Sequence, residues 1–138
     1  MPPFIRSLAA VVIGAIIAFG LIMAVQLVST RLYPMPAGLD PGNSEAMSRY
    51  IATLPVGGFL IVLLGYALGG LGGGFVAAKL APKARFTHAG VIAILLIAAS
   101  VLNLMSFSHP VWFWVANLAV VLVFPRIGAL AAARSLGD

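Results

Sequence analysis

The chain has 138 residues, 62% of them hydrophobic and only 8% charged, with a mean hydropathy of +1.14. Soluble domains run nearer half apolar and about a quarter charged, so this balance points to a bilayer protein and away from an aqueous globule. The net charge is +5, and cysteine is absent, which removes disulfides, thiolate metal sites and thiol catalysis.

A hydrocarbon core of about 30 Å needs roughly 20 helical residues at about 1.5 Å each. Residues 8–30, 56–78 and 111–133 meet that length, and 88–107, polar at both ends, only just does. None of the four carries Asp or Glu. The apolar runs are continuous, without the alternation of barrel strands, and an open sheet leaves backbone groups unpaired in lipid. The expected architecture is all-α: one transmembrane domain, residues 1–138, folded as a four-helix antiparallel bundle.

The first span opens after Arg6 and Ser7 and closes at 29–31. A cleaved signal peptide is the rival reading, with small residues near Ala18 and Gly20, but the apolar run continues to Val28 and predicts a retained helix. Residues 31–55 form an outer loop. Its stretch from 32 to 43 holds three prolines and two glycines, which forbid regular structure, and 40–43 (DPGN) is a turn signal. Asn43 or Ser44 then caps a short interfacial helix, with Glu45 in its favourable first turn. That helix carries Met47, Tyr50, Ile51 and Leu54. Pro55 removes a backbone donor and frees the Ile51 carbonyl, which predicts a kink.

The second span holds the most specific pattern in the chain. Gly65, Gly69, Gly73 and Ala77 recur every four residues, and Gly70 and Gly74 form a second, overlapping pair. Residues at that spacing stack on one helix face, where small side chains let another backbone approach closely. The first span offers a complementary ridge in Ala10, Gly14 and Ala18. The ladder serves either packing within one chain or association with a partner. It is no nucleotide site, because it lacks the Lys-Ser/Thr of a P-loop and the strand of a Rossmann turn. Tyr66, near the middle of this span, is expected in the core with a partner for its hydroxyl.

Residues 106–110 (SFSHP) join the third and fourth spans and permit only an antiparallel hairpin. Trp112 and Trp114 stand at the start of the fourth span, the usual place for interfacial aromatics. Pro125 frees the Val121 carbonyl late in that span, and Arg126 follows, within reach of headgroups. Gln26, Asn103 and Asn117 fall about one to two turns from the outer boundary. Two readings stand for this carboxamide layer. One is interhelical hydrogen bonding; the other is a polar pocket closed by Trp112, Trp114 and the Pro-rich loop, binding a small molecule or lipid headgroup.

The basic residues sort by loop. Arg6, Lys79, Lys83, Arg85, Arg126 and Arg134 share one side, whereas Arg31 and Arg49 share the other with Asp40 and Glu45. The positive-inside rule then places both termini in the cytoplasm. These cations suit anionic headgroups of membrane lipids, and no module-sized basic region exists for nucleic acid. His88 and His109 lie at opposite ends of the third span and its turn, so they share no metal or haem within one chain. The expectation is therefore no metal and no cofactor.

Enzymatic readings find little support. The spans hold no carboxylate pair, and His109 lacks an orienting acid beside Ser100, Ser106 or Ser108. Ion coupling ordinarily uses an intramembrane charge, and only Arg126 approaches that description. Three segments, 33–40 (YPMPAGLD), 65–78 (GYALGGLGGGFVAA) and 110–113 (PVWF), resemble a group of small, uncharacterised four-span bacterial inner-membrane proteins. The resemblance implies the same fold and a bacterial inner membrane, and no activity. The small multidrug exporters differ, since their first-helix glutamate has no counterpart here.

The leading functional expectation is a non-enzymatic accessory or scaffolding subunit that assembles through the glycine face, as a homo-oligomer or in a larger membrane complex. The alternative is a small oligomeric carrier or channel for an uncharged or lipid-like solute, using the carboxamide layer.

Overall fold

The computed structural model describes residues 1–137. Five helices follow one another: α1 (Pro3–Leu32), α2 (Ser44–Ala52), α3 (Val56–Leu80), α4 (Arg85–Ser106) and α5 (Val111–Ser135). All but α2 are long and apolar enough to cross a membrane. Their ends depart from the expected spans mainly in α1, which starts five residues earlier, because Pro3 is well suited to a first helical turn.

The helices run antiparallel in sequence order, as residue pairings show. Gly14 of α1 meets Ala77 of α3, while Val25 meets Gly65. Phe59 of α3 packs on Phe113 of α5, and Gly70 and Gly74 pack on Pro125, so α3 and α5 run parallel. The hub is α3. It lies between α1 and α5 and also touches α4, whereas α1 and α4 touch each other only lightly.

Three buried layers fill the bundle. Ala78, Ala89, Ala129 and Ala132 close the basic end, where small side chains allow tight convergence. Ala18, Tyr66, Ala77, Ile92, Leu96 and Val121 form the middle. Ile51, Phe59, Leu104 and Phe113 form the layer nearest α2.

Two local expectations are corrected. Pro55 does not kink a continuous helix: α2 stops at Ala52, and Pro55 instead precedes the first turn of α3 as its N-cap. The Ile51 carbonyl is not left free, since the Leu54 amide donates to it at 3.1 Å. Leu54 thus falls outside α2, although it still packs against the Phe59 layer. The cap itself is as expected, with Asn43 Oδ1 accepting from the Ala46 amide at 3.0 Å.

α2 is a cap on the bundle, tied at both sides. Ser44 Oγ donates to the Ser106 carbonyl (2.8 Å), and Ser48 Oγ accepts from the Ser108 amide (3.0 Å), which fastens α2 to the α4–α5 turn. Tyr50 donates its hydroxyl proton to the Tyr33 carbonyl (3.0 Å) just beyond α1. Ile51 is buried beneath. The Arg49–Glu45 ion pair on its outer side is highly exposed and contributes little.

Candidate functional site

The glycine ladder is consumed inside the chain. A β-carbon built on Gly69 would lie 2.7 Å from the Ala18 carbonyl oxygen. One on Gly73 would lie 2.6 Å from Ala18 Cβ and 2.7 Å from the Gly14 carbonyl, and one on Gly14 would lie 2.8 Å from Ala77 Cβ. Gly65 meets Val25 less closely, at 3.3 Å. The ridge is as expected: Ala10, Gly14 and Ala18 are three of the four buried residues of α1. Gly70 and Gly74 face the other way, onto Pro125 of α5. The face that the sequence offers to a partner is therefore filled from both sides by α1 and α5.

Sequence reasoning missed the α5 half of this contact. Pro125 is fully buried, and a β-carbon on Gly128 would strike the Leu71 carbonyl oxygen. Pro125, Gly128, Ala129 and Ala132 repeat at three- and four-residue intervals, a sparser pattern than the glycine run of α3, opened by a proline and interrupted by an arginine.

The carboxamide layer divides. Asn117 is buried and accepts a hydrogen bond from the Ser100 hydroxyl across α4 and α5, which makes it interhelical glue. Gln26 and Asn103 do something else. Both are exposed, and they line a cleft between α1, α3 and α4. Neither side chain has a hydrogen-bond partner among the described residues.

The cleft has two parts, whose walls share Gln26, Val62 and Asn103. The deeper part, about 220 Å³, ends at Gly65 and Tyr66. The upper part, about 300 Å³, lies beneath α2 and is lined by Tyr33, Tyr50, Phe59, His109 and Phe113 among others. That volume is at the low end for small-molecule sites, and the mix of apolar wall with a few polar groups is typical of them. Its α3 lining runs from Gly58 to Tyr66, a rise of eight residues, so the cleft extends roughly 12 Å along that helix.

Tyr66 also lacks a hydrogen-bond partner, contrary to expectation. Among the described residues, no fully buried polar side-chain atom is left unpaired, so its hydroxyl reaches open space. The space it lines is the cleft. His109 stacks on Phe113 at 5.3 Å, and its Nδ1 lies 2.8 Å from the Phe107 carbonyl. A carbonyl only accepts, so Nδ1 carries a proton there. His88 makes the same bond to the Ala84 carbonyl at the far end of α4.

The tryptophans do not close the cleft. Trp112 is exposed and meets Phe59 edge-on at 5.6 Å, and Trp114 is half-buried, but neither lines the space. Residues on a helix advance by about 100°, so it is Phe113, between them, that turns inward. α2 and Tyr33 supply the roof instead. Asn117 likewise stays outside it.

No group of three or more His, Cys, Asp or Glu residues is placed to hold a metal among the described residues. Comparison of the chain with family models, with curated proteins and with solved structures finds no match. What fold and site define together is an all-α chain with four helices fit to cross a membrane and a roofed, partly polar cleft at one end.

Proposed function

We propose that the chain is a multi-pass protein of a bacterial inner membrane, with both termini cytoplasmic, and that its cleft receives the head of an uncharged or lipid-like solute. One observation carries this reading: Gln26, Asn103 and Tyr66 converge on a single cleft without partners of their own. Polar groups at membrane depth need hydrogen bonds, and leaving them unmade costs free energy. A hydroxyl or ester head would satisfy all three while its apolar body lies against Ile22 and Val62. The role is binding or carriage, with no covalent chemistry.

A photoreactive diacylglycerol in liposomes holding the full chain tests it. Cross-links should concentrate on the peptide containing Val62 and Tyr66 and fall several-fold in Asn103→Leu. Labelling spread evenly over the outward residues of α1, and indifferent to that substitution, refutes the reading.

A second reading, an accessory or scaffolding subunit, keeps one favourable observation. With the glycine face filled, the surface left for a partner is an outward stripe on α1: Leu8, Val12, Ile16, Phe19, Met23 and Leu27. Their spacing of three and four residues is that of a helix-packing seam. A homo-oligomer or stoichiometric complex in gentle detergent, lost on Ile16→Gln, supports it; a lone monomer opposes it.

A further inference from the structure

A second concavity, about 660 Å³, lies at the other end of the bundle, between the α3–α4 turn and the last turns of α5. Lys83, Arg85 and Arg134 line it together with Pro82, Phe86, Leu130 and Ala133. Among the described residues, no acidic side chain contributes to its wall. Lys83 and Arg134 have no ion-pair partner among the described residues. The cations are contributed by two separate segments that only the fold brings together.

The apolar residues sit where a lipid chain would need them. Leu130 lies one helical turn before Arg134, hence about 6 Å further into the bundle along α5. Phe86 stands in the first turn of α4, and both side chains are about half exposed, at 52% and 47%. Charge therefore gathers at the rim, with an apolar track leading away from it.

We propose that this concavity holds the phosphodiester headgroup of an anionic phospholipid, with Lys83 and Arg134 on the phosphate and one acyl chain against Phe86 and Leu130. The argument is charge complementarity joined to that apolar track. A free phosphate would use the cations and leave the track empty, whereas a zwitterionic lipid would bring its own cation toward Lys83 and Arg134. Basic pockets between helices at the cytoplasmic side bind anionic headgroups for the same reason. The site stands apart from the α2-end cleft and rests only on the membrane setting proposed above.

Native mass spectrometry of the full chain, released from detergent with phosphatidylglycerol or phosphatidylcholine, tests it. Phosphatidylglycerol should be retained in clear preference. Lys83→Gln with Arg134→Gln should weaken its retention about thirtyfold, while leaving phosphatidylcholine retention unchanged. Arg6→Gln removes a cation from the same end but outside the cleft, and should change little. The charge-keeping pair Lys83→Arg with Arg134→Lys should retain the preference, with circular dichroism reporting an intact helix content throughout. Retention without preference, equal loss in Arg6→Gln, or displacement by millimolar inorganic phosphate overturns the site. Retention of neither lipid overturns the site as well, whereas a chain that fails to partition into liposomes overturns the membrane setting on which it rests.

Discussion

Gly74 and Pro125 meet so closely that a β-carbon on Gly74 would overlap the Pro125 carbonyl oxygen and lie 2.6 Å from its Cα. Backbone touches backbone here. In lipid there is little hydrophobic drive between helices, so close packing of this kind does much of the work of association. The position of α5, and with it the wall of the α2-end cleft at Phe113, depends on that contact.

Gly74→Ala should therefore lower the stability of the folded bundle by about 1–3 kcal/mol, the usual cost of overpacking. The substitution is favourable for an isolated helix, by roughly 1 kcal/mol, so the sign itself is informative. Gly20→Ala is the control, because nothing lies within 4 Å of a β-carbon there. It should be neutral or slightly stabilising. Unfolding in detergent, titrated with dodecyl sulfate, checks both, and equal effects at the two glycines would contradict the packing argument.

Asn117 and Asn103 should behave oppositely. Asn117→Leu removes the acceptor of the Ser100 hydroxyl and should cost on the order of 1–2 kcal/mol, with solute labelling retained in the molecules that fold. Asn103→Leu removes an unpaired group and should leave stability unchanged or raised while labelling falls. Thermal melts of the two variants beside the cross-linking assay separate them.

The absence of cysteine makes topology directly measurable. Ala37→Cys lies in the 33–43 loop and Ser135→Cys at the end of α5. A membrane-impermeant maleimide should label the first in intact cells and the second only after permeabilisation. The reverse pattern inverts the proposed orientation.

Ser44→Ala with Ser48→Ala should release α2 from the α4–α5 turn without disturbing the bundle. Each bond is worth about 1 kcal/mol, and both span more than fifty residues of sequence. Amide exchange in α2 should speed up roughly tenfold to thirtyfold, with exchange in α3 unaffected. Exchange unchanged in α2 would show that Ile51 packing alone holds the roof.

The linear chain determines the elements and the distribution of charge between the ends. Proline and glycine mark where helices stop, Asn43 caps α2, and Arg6, Lys79, Lys83, Arg85 and Arg134 gather at one end because successive long helices alternate in direction. Which faces meet is another matter. A helix that is apolar nearly all round carries no polar stripe to reveal its inward side, and lipid tails are as apolar as leucine. Only the tertiary structure decides that Gly69 and Gly73 turn to α1 while Gly70 and Gly74 turn to α5. It also decides that Asn117 finds Ser100, whereas Asn103, Gln26 and Tyr66 are left lining a cleft. The reason is geometric: close backbone contact on both sides of α3 fixes the rotation of every helix around it, and that rotation selects which polar groups pair.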